Sequence, residues 1–361
     1  MKKRAKISLV AAALTLSIVT LSACGGGTPS AGAPAGQASG QKMYISVIAK
    51  GFQHQFWQTV KQGSEQAGKD LNVDVNFTGP EGESAISTQV TMINQELAKK
   101  PAAMCLAALD TKSVLDQLKA AADAKIPVIG FDSGVPDAPA GQIAATAATN
   151  NEAAAAIAAD HMYDALKAKI DAATPSNQIV IKVLSQDATS ASVTGRTRGF
   201  AKEMAKKVGA NAAVTGGQSD VNTGSASSAG VIIDVVIGAT PDITDMTTAA
   251  SGLLNTKGLA GIFLSNEGSV SGLLAAENAG SSVAPDVVII GFDAGKAQKA
   301  AVKSGAFLGA ITQDPYQIGY KAVSMAVAAA KGQPVADVDT GAKWYDKTNM
   351  DQPDIAKLLY D

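Results

Sequence analysis

The chain is poor in the residues that most often carry chemistry. Among 361 residues it has two His and two Cys, and aromatics make up 4%. His54 and His161 lie far apart, and His161 falls in an Ala-rich stretch, so no His/Cys/carboxylate spacing resembles a metal site. There is no G-x-S-x-G elbow, no Walker loop and no G-x-G-x-x-G turn. The composition therefore nominates no catalytic nucleophile, metal or cofactor. The body also lacks any Lys/Arg-rich run, which argues against nucleic acid as a partner. The longest apolar run, Ile7 to Leu21, is too short for a comfortable membrane span.

What is present begins at the N-terminus. Lys2, Lys3, Arg4 and Lys6 precede that apolar run, which ends in the small residues Ser22 and Ala23. This is the three-part layout of a secretory signal peptide. Leu21-Ser22-Ala23-Cys24 resembles the lipobox of bacterial lipoproteins, which implies a lipid on Cys24 and cleavage before it. Residues 1–24 are thus expected to be a lipoprotein signal peptide. Residues 25–41 are Gly, Ser, Ala, Pro, Thr and Gln, with almost nothing to bury, and read as a flexible tether. The full chain has a formal charge of −2 from 30 basic and 32 acidic residues; without the four basic residues of the signal the balance is about −6. With Cys24 lipidated, Cys105 has no disulfide partner, and its apolar run Ala102–Ala108 reads as a buried strand. Gly25 after the Cys favours a Gram-positive cell surface over a periplasm.

From Met43 onward short apolar runs alternate with amphipathic stretches. Strands are expected at 43–49, 73–77, 102–107 and 127–131, with helices at 56–71, 84–98 and 113–124 between them. Strands without inside/outside alternation, separated by helices, imply a parallel sheet covered on both faces. A second such unit follows: helices at 151–170, 193–208, 225–238, 270–279, 297–304 and 317–331, with strands at 178–184, 212–215, 261–264, 287–292 and 307–311. Strand-like residues around 338–345 and a short helix at 354–359 close the chain. The fold class is α/β, with two doubly wound lobes. The halves share an echo, Val128-Ile-Gly-Phe-Asp132-Ser-Gly134 against Ile289-Ile-Gly-Phe-Asp293-Ala-Gly295. Each places an Asp directly after a buried parallel strand, where α/β ligand sites form; the alternative is that each caps a following helix.

Several segments carry a resemblance over roughly residues 42–361: Val47–Gly63, Ile126–Asp132, Gly195–Phe200, Leu264–Gly268, Ile290–Asp293 and Ile311–Gly319. In this order and spacing they resemble the periplasmic binding proteins of the ribose/galactose type, the substrate-binding components of ATP-binding-cassette sugar importers. The resemblance implies the type I fold, with a ligand closed between lobes joined by three crossings. It puts residues 42–149 plus 313–339 in the first lobe and 150–312 plus 340–361 in the second. It implies that Asp132 and Asp293 accept sugar hydroxyls, Arg196 donates a planar fork, Asn266 and Gln313 offer amides, and Phe56 and Trp57 stack on the sugar's C–H face. His54 stands where ribose-type members often have Asn. A second-lobe aromatic common near 219–223 is missing, with Asp220 and Asn222 there instead, and Ser133 replaces the arginine of ribose binders. These departures point from ribose towards another pentose, a hexose or a polyol. The implied partner is an importer's membrane permease, the protein a monomer without catalysis or cofactor. The alternatives are a nucleoside or other polar metabolite as ligand, a sensor in place of a transport protein, and an extracellular α/β enzyme.

Overall fold

The computed structural model describes residues 42–360. The signal segment, Cys24 and the tether lie outside the described residues. The chain opens with β1 (Tyr44–Ile48), α1 (Gln55–Asp70), β2 (Asp74–Thr78), α2 (Ile86–Ala98), β3 (Ala103–Leu106), α3 (Leu115–Asp123), β4 (Val128–Phe131) and β5 (Ala145–Ala148). It continues through α4 (Asn151–Ala172), β6 (Ile179–Ser185), α5 (Ala191–Val208), β7 (Ala212–Gly216), β8 (Val231–Ile237), α6 (Ile243–Leu254), β9 (Leu259–Leu264), α7 (Glu267–Asn278), β10 (Val288–Phe292), α8 (Lys296–Ser304) and β11 (Gly309–Gln313). It ends with α9 (Pro315–Ala330), β12 (Val338–Asp339), β13 (Ala342–Tyr345) and α10 (Pro353–Ala356).

Two sheets result. The first is six-stranded in the order β2-β1-β3-β4-β5-β12, parallel throughout. The second is seven-stranded, β7-β8-β6-β9-β10-β11-β13, parallel except for β13 against β11. Strands β3 and β4 are buried at every residue, as helix-covered parallel strands must be. The order reverses beside β1 in one sheet and β6 in the other, which opens crevices at their carboxyl ends. The chain passes between the lobes after β5, between β11 and α9, and between β12 and β13. Asp339 ties two of these crossings, its Oδ1 accepting from the Asn150 N–H (3.1 Å) and the Gly341 N–H (2.8 Å).

Helix α1 buries Phe56, Trp57, Val60, Gly63, Ser64, Ala67 and Gly68, a face of helical period turned to the core. It crosses α9 at close range because both surfaces carry glycine there. A Cβ on Gly63 would lie 2.0 Å from the Tyr316 carbonyl oxygen, and one on Gly319 2.0 Å from the Val60 carbonyl oxygen. Trp57, Phe131, Phe263 and Phe292 are fully buried, each stabilising by about 1.5–3 kcal/mol through apolar burial. Cys105 is a free thiol in β3, and burial pushes its pKa up, which fits a small core hydrophobe.

Most elements fall within a few residues of expectation, and three do not. The helix expected at 225–238 is strand β8 (VIIDVVI), preceded by turns. Its β-branched residues pack between β6 and β7, and the interrupting Asp234 is neutralised by Lys182 (2.5 Å) and the Thr215 hydroxyl (2.7 Å). Helix α6 was not foreseen. Nor was β5, whose ATAA sequence has little β character of its own and is held by pairing with β4 and β12.

Candidate ligand-binding cleft

The carboxyl ends of both sheets face one another, and the side chains there form a small cavity of about 20 Å3. Its lining includes every residue expected at the site: His54, Phe56, Trp57, Asp132, Arg196, Asn266, Asp293 and Gln313. Lys50, Glu83, Val193 and Glu267 complete it.

The duplicated aspartates are the strained points of this wall. Asp132 follows β4 with φ +52°, and Asp293 follows β10 with φ +80°, left-handed backbone that few residues other than glycine adopt. The main-chain surroundings repeat, with the Asp132 N–H donating to Ala147 (3.1 Å) and the Asp293 N–H to Ile311 (2.7 Å). Neither Asp caps a helix: loop follows Asp132, and the residue capping α8 is Gly295. The turn instead throws each carboxylate into the cleft, 4% exposed in both cases.

Arg196, 3% exposed on the second turn of α5, lies between them. Its guanidinium stacks over the Phe292 ring at 4.0 Å. Nε donates to Asn151 (2.8 Å), and Nη1 donates to the Ser265 carbonyl (3.2 Å) and Asp293 Oδ2 (3.4 Å). Nη2 stands 4.0 Å from Asp132 Oδ1, across the cleft. Asp293 is otherwise engaged by the Glu267 N–H (3.0 Å) and Gln313 Nε2 (2.6 Å). Asp132 has ion-pair neighbours, Lys50 at 3.6 Å and Arg196, but no hydrogen bond shorter than these, so its oxygens are open to hydroxyl donors. Burial raises its pKa, and Lys50 and Arg196 only partly oppose that.

Two polar atoms in this wall are buried without a partner, His54 Nε2 and Gln313 Oε1. Buried polar atoms are normally paired, so each is a vacancy for a ligand donor or acceptor. Asn266 is more committed: its Oδ1 caps α7 by accepting from the Ser269 N–H (3.0 Å), and its Nδ2 donates to Gln186 (2.7 Å). Phe56 and Trp57 meet edge to face at 5.0 Å. The Trp57 indole N–H donates to Glu83 Oε1 (2.7 Å).

Glu83 and Glu267 were not foreseen, and both bridge the lobes. Glu83 precedes α2 in the first lobe and accepts from Gln186 Nε2 of the second (2.7 Å). Burial opposes its ionisation, but Lys50, His54 and the Trp57 and Gln186 hydrogen bonds outweigh that and hold its pKa below the usual value. Glu267, at the start of α7, accepts from the Gln55 and Phe56 N–H groups (3.3 and 3.4 Å). It thereby caps α1 from the opposite lobe, where His54 makes no side-chain cap of its own. Burial raises the Glu267 pKa, with Asp293 adding to it. Lys50 Nζ donates to Ser192 Oγ (3.2 Å), a further cross-lobe bond, so the lobes are closed. Asp220 and Asn222 stay outside: Asp220 pairs with Arg198 on the surface (2.8 Å), and Asn222 bonds the Gly216 carbonyl (3.3 Å). His161 stacks on Trp344 at 3.7 Å, away from the cleft. Among the described residues no group of three His, Cys, Asp or Glu side chains could hold a metal ion.

Two α/β lobes closed over a charged, aromatic-walled cavity define a solute-binding protein. Residues 45–334 match the family described as periplasmic binding protein domain, and the chain belongs to that family, whose members work outside the cytoplasm. A solved structure from Brachyspira murdochii, described as an ABC transporter, LacI family transcriptional regulator, is 40% identical over 89% of this chain and 99% of that one, with a TM-score of 0.75. An ABC transporter solute binding protein from Agrobacterium vitis with bound D-fucose is 28% identical over 88% of this chain and 100% of its own, TM-score 0.72. A carbohydrate transporter solute binding protein from Agrobacterium radiobacter in complex with D-arabinose is likewise 28% identical, over 88% and 99%, TM-score 0.71. A search of curated proteins gives no significant match. Family and relatives are transport proteins, so this cleft binds its solute and does not convert it.

Proposed function

We propose that the protein captures a monosaccharide or related polyol by lobe closure and delivers it to an ABC importer. The observation that carries this reading is the pair of left-handed aspartates, one per lobe, with Arg196 bonded to Asp293 and facing Asp132 across a small buried cavity. Relatives that hold D-fucose and D-arabinose support it. Asp132 would accept hydroxyls, Arg196 would donate to ring or hydroxyl oxygens, and Gln313 Oε1 and His54 Nε2 would gain the partners they lack. Asn266 would add its second amide hydrogen. Phe56 and Trp57 would cover the apolar C–H face of the ring. Closure would move residues 42–149 plus 313–339 against 150–312 plus 340–361, about the three crossings, and present the permease with a ligand-dependent surface. Lipidation of Cys24 and the 25–41 tether would hold a monomeric body at the membrane.

A thermal-shift screen of residues 42–361 against pentoses, hexoses, polyols and nucleosides tests this. A ligand at a hundredfold excess over Kd stabilises the native state by about 2.7 kcal/mol. A concentration-dependent rise with one sugar class, lost in Arg196→Ala and Asp293→Ala variants with native circular dichroism, is the expected result. A nucleoside hit, or no hit with a folded protein, would sink the sugar reading.

A further inference from the structure

The lobes form a second pocket beside the first, open to solvent on one side. It is lined from the first lobe by Glu83, Ser84, Ile86 and Leu109, and from the second by Gln186–Thr189 and Ile237–Pro241, with a volume of about 290 Å3. Glu83 lines both cavities. Between them stands the Gln186 Nε2 to Glu83 Oε2 hydrogen bond (2.7 Å), with Gln186 Oε1 also held by Asn266 Nδ2 (2.7 Å). Both residues are buried and meet only through side chains, so a ligand that spans the two spaces would have to displace this pair. Closure also frames the second cavity. Ser84 bonds Asp242 (2.8 Å), and Thr111 and Leu109 bond Thr189 (3.1 and 3.0 Å), in each case across the lobes. The space is therefore made by the same closure that makes the sugar cavity.

Its chemistry differs from that of the first. The polar side chains around it are already engaged: Ser84 with Asp242, Thr189 with the Leu109 carbonyl, Thr240 with Asp245 (2.7 Å), and Asp187 with the Thr189 N–H, Ser190 N–H and Ser190 hydroxyl. What remains facing the space is aliphatic: Ile86, Leu109, Ala188, Ile237, Ala239 and Pro241. No aromatic ring lines it, and the hydroxyls of Ser84, Thr189 and Thr240 already donate to other residues. A second sugar ring would thus find neither an aromatic face nor an uncommitted hydroxyl donor there, whereas an apolar group would gain by burial.

We propose that this cavity is a second subsite, and that the cleft accepts glycosides whose O-linked apolar aglycone passes the Glu83–Gln186 pair. The proposal rests on the sugar reading of the first cavity. The test is calorimetric binding of free D-fucose and D-galactose, their methyl glycosides, their p-nitrophenyl glycosides in both anomers, lactose and adenosine. The expected result is that one p-nitrophenyl anomer binds at least tenfold tighter than its methyl counterpart. Ile86→Trp and Ile237→Trp, which fill the space from opposite lobes, should each abolish that advantage and leave free-sugar affinity within about twofold. Exclusion of both aryl anomers where the free sugar binds overturns the subsite alone, as does an advantage that survives both Trp variants. Tighter binding of lactose or adenosine overturns the apolar assignment. If the folded protein binds neither this panel nor any pentose, hexose or polyol of the thermal-shift screen, the sugar reading itself has failed, and the subsite with it; a sugar hit from that screen without any binding of this panel overturns the subsite alone.

Discussion

Arg196 gives the sharpest test of the cleft's energetics, because it holds a buried carboxylate in its own lobe and faces another across the cleft. At 3.4 Å from Asp293, and at the effective dielectric of about 20 that suits such pairs, Coulomb attraction is roughly 5 kcal/mol. Desolvation offsets most of it, so the pair adds little net stability while intact. Removing one partner is different, since it leaves a charge buried without its counterion, at a cost of about 3–5 kcal/mol. In Arg196→Ala the burden falls on Asp293, because Asp132 keeps Lys50 at 3.6 Å. At roughly 2 °C per kcal/mol for a body of this size, Tm should fall by roughly 6–10 °C without ligand. Asp293→Ala should fall by a similar amount, because it strands the guanidinium. The double variant should cost less than the sum of the singles by at least about 1.5 kcal/mol, the coupling expected of groups in direct contact. Denaturant unfolding of all four proteins measures this cycle. Additivity within about 0.5 kcal/mol, or a single-variant Tm within 2 °C of the parent, would refute the idea that these charges depend on one another.

Further outcomes follow from other parts of the cleft. Asp132 has a pKa raised above its usual 3.8 by burial, so its ionised form, which accepts hydroxyls, disappears earlier than usual as pH falls. Sugar affinity should then drop about tenfold per pH unit below that raised value, and an affinity flat down to pH 3.8 would contradict it. The same raised pKa means the native state takes up this proton more readily than the unfolded chain, so Asp132 favours folding at acid pH and loses that contribution as pH rises. Glu267→Ala should open the closed form by removing the trans cap of α1, with about tenfold weaker sugar binding and a larger radius of gyration in solution scattering. Trp57→Phe should strip Glu83 Oε1 of its donor and cost about 1.5–3 kcal/mol, read by chemical denaturation. Gly63→Ala must push apart α1 and α9, and overpacking of this kind costs about 1–3 kcal/mol or more, again read as a lower Tm.

How much of this was legible in the sequence depends on what holds each residue in place. Asp132 and Asp293 could be placed because each sits just beyond the end of a buried parallel strand, and topology brings such ends together; Gln313, at the end of β11, was carried by the family resemblance. Phe56 and Trp57 on the first turn of α1, Arg196 on the second turn of α5 and Asn266 at the cap of α7 were carried by the family resemblance, and all lie where helices begin at that same edge. Gln186 obeys the strand-end rule too, directly after β6, and could have been found by applying it to QIVIKVLS. Lys50 stands in the Val47–Gly63 segment, but a lone lysine there gives no sign that three carboxylates will surround it. Glu83 was out of reach: it lies in an irregular loop before α2, and its partners come from α1 and from the other lobe. The failure at β8 has a similar origin. Strand identity there is set by neighbours on both sides, while Asp234 and the Ser-rich lead-in hide the run from any local reading.

The three passages of the chain between lobes also constrain how the protein is made. Helix α9 packs on α1, β3 and β4, and edge strand β12 completes the first sheet, yet both follow the whole second lobe in sequence. A ribosome that has released only the first half has therefore not released the complete first lobe. The first lobe must wait, with the underside of α1 uncovered, until Ala330 has emerged. Truncation just after β11 would leave both lobes unfinished, since the second also needs β13. Maturation is thus a late, whole-molecule event, and the unfinished chain is the form most exposed to proteases and to misassociation.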